Sequence, residues 1–228
     1  MNTKKNYVKT IYSDKSKPFT KYPNKLINYL IKTYNIKKDS KVLDLCCGRG
    51  EFINEFINFG CEGFAVDIDN ICLKYFPKII YKECDLVKDK LPFNDDNFDV
   101  VFNKSVIEHF HNPENMLSEA YRVLKPGGLI ITLTPSWIHN IKNFYDDFTH
   151  VQPYNKVSLK DSHEMMNFIE VKSRNFIQLP VLWKKNLFSK FMFLVSLLAR
   201  YLAPNYLKKK SKFIFFSKEV MLICTGKK

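Results

Sequence analysis

The stretch VLDLCCGRGEF, Val42 to Phe52, runs from a short apolar segment through a glycine-punctuated turn into a helix-like pattern. Apolar residues without alternation over so short a length read as a strand covered on both faces. Gly48 and Gly50 then let the backbone turn sharply and a ligand approach it closely. EFINEFINFG (51–60) follows, with Phe52, Ile53, Phe56 and Ile57 at helical spacing and Gly60 placed as a C-cap. Strand, glycine turn and helix in that order make the opening unit of an α/β sheet. The helix start at Glu51 offers unpaired N–H groups to whatever lies in the turn.

Outward from this unit the alternation repeats. GFAVDID (63–69), KIIYKECD (78–85), FDVVFNKS (98–105) and LIITLTP (129–135) read as further strands. NPENMLSEAYRVL (112–124) reads as a helix with Asn112 as N-cap and Pro113 at N1, and KPGG (125–128) as the turn after it. Beyond residue 155, SLKDSHEMMNF reads as a helix, FIEVKSRNF as a strand and EVMLICTG (219–226) as the last strand. The expectation is one α/β domain: a seven-stranded, mostly parallel sheet with helices on both faces and a helical insertion before the last strand. Its segments are a basic helical lead-in (1–40), a ligand-binding core (41–135), an acceptor-side segment (136–183), an apolar-basic helical insertion (184–212) and the last strand (213–228).

Charge is segregated along the chain. The formal net charge of +13 divides into +9 over residues 1–41, −6 over 42–183 and +10 over 184–228. A nucleic-acid enzyme is more often basic around its site, so this pattern disfavours nucleic acid and suits an anionic surface or partner met by the two ends. The six cysteines form no CxxC pair and no histidine stands at zinc-ligand spacing from them. They are expected reduced and buried, in a cytoplasmic protein. MNTKKNYVKT at the start has charge but no apolar run behind it. In the insertion, Lys185, Ser189, Ser196 and Arg200 fall on one narrow stripe at 100° per residue, and most other positions from Leu187 to Ala203 are apolar. Phe191 to Ala199 is about half the length a bilayer span needs. So wide an apolar face must bury against the domain, a partner or a membrane surface, and Lys208, Lys209, Lys210 and Lys212 follow it directly.

In open α/β sheets ligands bind beyond the carboxyl ends of the strands. Position 53 is Ile rather than the glycine a GxGxxG fingerprint needs, which disfavours a pyrophosphate. Asp44 at the end of the first strand would repel a phosphate and can pair with an ammonium. Asp67 at the end of the second suits a ribose diol. Asp85 and Leu86 after the third suit an adenine edge. The ligand implied carries a ribose, an adenine and a positive charge, and no phosphate.

Here the residues carry a resemblance. VLDLCCGRGEF, FAVDID, CDLVKDKLPFNDDNFDVVF and VIEHFHNPENMLSEAYRVLKPGGLIITLTP are similar, in order, to the motifs of class I S-adenosylmethionine-dependent methyltransferases, over roughly residues 40–135. The resemblance implies a Rossmann-like fold and S-adenosyl-L-methionine as cofactor. It places the glycine-rich loop on Asp44 to Gly50, the ribose-binding acid on Asp67 with Ile68 beside the adenine, and the adenine-side acid on Asp85. It sets Asn103 against the cofactor's methionine part. Cys46 stands where the family usually has glycine, which restricts its backbone. More loosely, KPFTKYPNKLINYL, FYDDFTHVQPY and the hydrophobic-basic end with FSKEVML resemble methyltransferases found among glycan-assembly enzymes. That implies a saccharide or lipid-linked saccharide acceptor, met at the cytosolic face of a membrane with 187–212 as the contact.

A hydroxyl acceptor needs its proton removed. The candidates follow the fourth strand (Glu108, His109) and the fifth (Asp146, Asp147, His150). A histidine held by a carboxylate is the usual pairing, and His150 with Asp146 or Asp147 is the preferred base, with Glu108 and His109 as its rival. No spacing among these residues demands a metal. Two other readings stand beside O-methyl transfer. One is an RNA or protein methyltransferase using the basic ends. The other is a non-catalytic protein of the same fold, against which the intact Asp44, Gly48, Gly50, Asp67 and Asp85 argue.

Overall fold

The computed structural model describes residues 18–184 and 186–228, so residues 1–17 of the lead-in and Lys185 of the insertion's stripe lie outside the described residues. Seven strands, β1 (Lys41–Leu45), β2 (Glu62–Asp67), β3 (Ile80–Glu83), β4 (Phe98–Lys104), β5 (Leu124–Pro135), β6 (Ile169–Ile177) and β7 (Val220–Lys227), form one sheet in the order β3-β2-β1-β4-β5-β7-β6. Every neighbouring pair is parallel except the two made by β7, which is antiparallel to β5 and to β6. Strand order reverses between β1 and β4. The carboxyl ends of those two strands and of β2 therefore open onto one crevice.

The two faces of the sheet hold separate cores because side chains alternate along each strand. Leu43, Leu45, Val66 and Val101 pack with Met116, Leu117, Ala120 and Val123 of α4 (Glu114–Val123) and Leu159 of α6 (Lys156–Glu164). Val42, Ala65, Val100 and Phe102 pack on the other face with Leu26, Ile27 and Leu30 of α1 (Tyr22–Tyr34), Ile53 and Phe56 of α2 (Glu51–Phe59) and Cys72 of α3 (Ile71–Tyr75). Each half-buried element is thus closed by a helix on its own side, as the alternation of the sequence requires.

Helix boundaries follow local chemistry. Gly60 ends α2 in the left-handed region, as its position in the sequence predicts. Asn155 and Ser158 cap α6 reciprocally, each side chain accepting from the other's turn. At α4 the boundary shifts by one residue: Asn112 Oδ1 accepts from the Glu114 N–H, and Pro113 occupies the cap position. KPGG is not a free turn but part of β5. Phe98 aligns with Leu124 and Val100 with Leu129, so the extra residues bulge inside the strand.

The insertion folds as α7 (Leu187–Leu202), a short 3-10 turn and α8 (Lys212–Lys218), preceded in the chain by α5 (Trp137–Asn140) after β5. Asn186 and Ser189 cap α7 by the same reciprocal box. The polar stripe points inward: Ser189 and Ser196 are buried, and Arg200 Nε donates to the Ser217 carbonyl at 2.8 Å. Leu187, Phe188, Phe191, Leu194, Leu198 and Tyr201 face solvent, Phe191 with 60% of its surface exposed. Among the described residues no helix is long and apolar enough to cross a membrane.

Candidate active site

At the end of β1 the chain turns through three left-handed residues: Cys46 (φ +53°), Gly48 (φ +54°) and Gly50 (φ +79°). Cys46 adopts the conformation that glycine takes without cost, so the substitution noted in the sequence is accommodated as backbone strain of about 1–2 kcal/mol. The two glycines serve different ends. A side chain on Gly50 would stand 2.6 Å from Ile79 Cδ1 and 2.9 Å from Cys72 Cβ, so this glycine lets α2 pack. A side chain on Gly48 would meet nothing within 4 Å, so it borders open space.

Asp67 closes the loop from β2. Its Oδ2 accepts from the Gly48 N–H at 2.8 Å and its Oδ1 from the Ile68 N–H at 2.7 Å. Burial raises its pKa, and the N–H groups of Gly48, Ile68 and Asp69 act against that. Asp44 is also buried, and its Oδ2 has no partner. Burial first, and the nearby Asp67 second, push its carboxyl well above the usual carboxylate range. Two carboxylates facing one crevice, one with an unpartnered oxygen, fit a ligand that brings positive charge and hydroxyls. Ile68 is half-buried beside Asp67. Asp85 is half-buried after β3, its Oδ1 accepting from the Val87 N–H, while Leu86 is buried in the core. Asn103 is fully buried on β4. Its Nδ2 donates to Thr132 Oγ1, and its Oδ1 has no partner. These residues, with the loop from Asp44 to Gly50, fit S-adenosylmethionine: a diol acceptor, an apolar edge, an open glycine and a buried carboxyl oxygen without a partner.

The acceptor-side candidates converge. The loop after β5 is tied to the turn after β4 by the Val151 and Gln152 N–H groups, which both donate to the Glu108 carbonyl. This brings one ligand-type atom each of Glu108, His109 and His150 within 4.8 Å of one another, with the two imidazole centroids also 4.8 Å apart. Glu108 is fully buried. Its Oε2 accepts from Thr134 Oγ1 at 2.9 Å, and its Oε1 has no partner. Burial pushes its carboxyl up to about 7, against its own backbone N–H, Thr134 and Lys104. Burial, then His150, lowers the pKa of His109. His150 Nδ1 lies 2.6 Å from the Phe144 carbonyl, to which it must donate.

The two aspartates of the FYDDFTHVQPY segment play unequal parts. Asp147 Oδ1 accepts from Thr149 Oγ1 at 2.6 Å and from the Thr149 N–H. Thr149 Oγ1 lies 2.9 Å from His109 Nδ1. Asp147 therefore reaches His109 through Thr149, where sequence reasoning paired it with His150. Asp146 is exposed at the end of a 3-10 turn (Phe144–Asp146). Tyr154 is buried in the core, and Tyr145 is exposed. Thr134 and Thr149 escaped the sequence reading. Threonine in a strand or loop carries no periodic signal, and only the fold shows which carboxylate or ring it meets.

The comparisons with known proteins agree with this geometry. The family described as "Methyltransferase domain" matches residues 43–132. An uncharacterized protein of Methanocaldococcus jannaschii is 34% identical over 159 residues, covering 69% of this chain and 68% of that protein. The demethylmenaquinone methyltransferase of Anoxybacillus flavithermus is 26% identical over 159 residues, covering 64% of this chain and 67% of that protein. In fold, the phosphoethanolamine N-methyltransferase 2 of Haemonchus contortus, solved with S-adenosyl-L-methionine, is similar with a TM-score of 0.68 at 17% identity, over 100% of this chain and 60% of that one. Glycine loop, crevice acids, strand order and matched motifs lead to one conclusion: the chain belongs to the class I S-adenosylmethionine-dependent methyltransferases, with S-adenosylmethionine as its cofactor.

Proposed function

We propose that this methyltransferase alkylates a hydroxyl of a small acceptor, a saccharide or lipid-linked saccharide, at the cytoplasmic face of a membrane. The observation that carries the hydroxyl reading is the convergence of Glu108, His109 and His150 beyond the ends of β4 and β5. Asp67 takes the ribose diol with Ile68 beside the adenine, Asp85 and Leu86 border the adenine, and Asn103 meets the methionine part. Asp44 answers the cofactor's positive charge, and Cys46, Gly48 and Gly50 shape the loop against it. S-adenosylmethionine supplies a methyl group on a sulfonium whose sulfur leaves with the bond's electron pair. The chain's own work is to place the acceptor oxygen in line and to remove its proton. With Nδ1–H held by the Phe144 carbonyl, His150 carries its lone pair on Nε2, the atom that would receive that proton. Asp147 orients His109 through Thr149, and Asp146 stands at the rim.

Transfer of labelled methyl groups to a panel of mono- and disaccharides tests this reading. His150→Ala is expected to lower turnover at least ~100-fold while S-adenosylmethionine binding stays intact. Unchanged turnover would remove His150 from the mechanism.

The outward apolar face of α7 supports the membrane part. Exposed Lys184, Lys190, Lys210 and Lys212 accompany it, and the acid Glu219 is held by Lys208, so the face suits an anionic lipid surface. Flotation with phosphatidylserine-containing vesicles should carry the wild type and not a Phe191→Ser/Leu194→Ser variant. A wild type that stays at the bottom of the gradient would exclude the contact.

A further inference from the structure

Three features at the acceptor side have no role in binding the cofactor. First, both imidazoles are fixed in the same tautomer. His150 Nδ1 faces the Phe144 carbonyl at 2.6 Å, a group that can only accept. His109 Nδ1 faces the Thr149 carbonyl at 3.2 Å and Thr149 Oγ1 at 2.9 Å, and that hydroxyl spends its own proton on Asp147. Each ring therefore donates from Nδ1 and carries its lone pair on Nε2. Second, Glu108 is fully buried with Oε1 unpartnered, while Thr134 holds Oε2 in place. A buried carboxylate oxygen without a donor is costly unless something positive meets it. Third, Asp147 backs His109 through Thr149, the carboxylate-to-imidazole support that ligating histidines commonly have behind them.

We infer that Glu108, His109 and His150 form a binding site for a divalent transition-metal cation of the Zn²⁺ type. Two imidazole nitrogens and one carboxylate oxygen make a donor set of borderline hardness, which suits Zn²⁺, Co²⁺ or Fe²⁺ better than Mg²⁺ or Ca²⁺. One ligand-type atom from each residue lies within 4.8 Å of the other two. In a tetrahedral Zn²⁺ site such atoms stand about 3.3 Å apart, so the rings must draw in by roughly an ångström and a half. The spacing in sequence, 108, 109 and 150, hides this site, because the third ligand arrives from the next strand's loop.

The role follows from the position and rests on the hydroxyl-transfer reading above. Three protein ligands leave a coordination position open for the acceptor oxygen. The cation lowers that hydroxyl's pKa, the proton leaves to solvent, and the oxygen attacks the methyl group as the carbon–sulfur bond breaks with its electrons on sulfur. The histidines then act as ligands, and the cation does the work assigned above to a free base.

The whole chain, stripped with a chelator and dialysed, is titrated with Zn²⁺ by calorimetry and with Co²⁺ by visible absorption. Expected are one equivalent of bound Zn²⁺ and Co²⁺ bands of a low-coordinate nitrogen–oxygen site. His150→Ala, His109→Ala and Glu108→Gln should each weaken binding at least ~10-fold. Circular dichroism and S-adenosylmethionine binding report that each variant is folded. His150, on a half-buried loop, keeps the test sound if Glu108→Gln misfolds. Zn²⁺ binding that is absent, or equal in wild type and His150→Ala, would overturn the proposal. Methyl transfer that depends on His150 yet survives the chelator would overturn the metal and leave the hydroxyl reading standing. A bound cation with no hydroxyl acceptor methylated would do the reverse.

Discussion

Helices α2 and α7 are both rich in Phe, joined by Ile in α2 and by Leu in α7, yet they turn opposite faces to the body of the protein. α2 buries Ile53 and Phe56 against Val42, Ala65 and Phe102. α7 buries Ser189 and Ser196 and leaves Phe191, Leu194 and Leu198 in solvent. The contrast extends to what surrounds them. Ile53 and Phe56 of α2 meet an apolar cluster that includes Leu26, Val42 and Phe102, whereas the residues that α7 buries, like Ser217 of α8, are polar. An apolar stripe states that a helix has a face to cover, and it does not state what covers it. In α2 the cover is the sheet. In α7 the box at Asn186, the Arg200–Ser217 hydrogen bond and the Lys218 Nζ to Arg200 carbonyl bond hold the polar side down.

The comparison can be broken most sharply at Phe56. Phe56→Ala should cost about 3–5 kcal/mol in denaturant unfolding. Phe191→Ala on α7, the matching change, should stay within about 0.5 kcal/mol. A large loss at Phe191 would mean that α7 is covered by its own domain.

Next in size is a pH effect from the polar interior. His163 lies fully buried, its Nδ1 donating to the Leu159 carbonyl and its Nε2 accepting from Thr132 Oγ1. Burial pushes its pKa down to about 4 from 6.5. The unfolded chain therefore binds the extra proton between those values. The contribution is complete above pH 6.5 and is lost as pH falls towards 4, in total about 3 kcal/mol. Because the raised carboxyl of Glu108 works in the opposite direction over the same range, the contribution is read as a difference: the stability advantage of wild type over His163→Gln should shrink as pH falls from 7 to 4.

The glycine loop beside α2 sharpens the contrast between packing and function at a smaller scale. Gly50→Ala should destabilise by about 2–4 kcal/mol, combining left-handed strain with contacts to Ile79 and Cys72. Gly48→Ala should cost about 1 kcal/mol of strain and weaken S-adenosylmethionine binding tenfold or more, because its side chain enters the space left for the ligand. Equal stability losses at the two positions, or full cofactor affinity in Gly48→Ala, would contradict the division.

The candidate cofactor residues were legible as a group because they are local. Asp44, Gly48 and Gly50 lie within one turn after β1, and the ends of β2 and β3 follow from strand patterns that period and turn residues make plain. The acceptor part was legible only as separate candidates. Glu108 and His109 stand about forty residues from His150, and nothing in their spacing says that two backbone bonds to the Glu108 carbonyl draw the loops together.

By itself the sequence determined the α/β class, the seven strands and the glycine turn after β1, because hydrophobic period, glycine placement and capping act over a few residues. Tertiary structure alone decided three things. KPGG became a bulge within β5, since pairing with β4 and β7 on its two sides outweighed a local turn preference. Asp147 came to serve His109 through Thr149, since the loop's fold set which ring the hydroxyl reached. And α7 turned the side that carries Ser189, Ser196 and Arg200 inward, where Arg200 reaches the Ser217 carbonyl and Lys218 reaches the Arg200 carbonyl, and left its apolar side exposed.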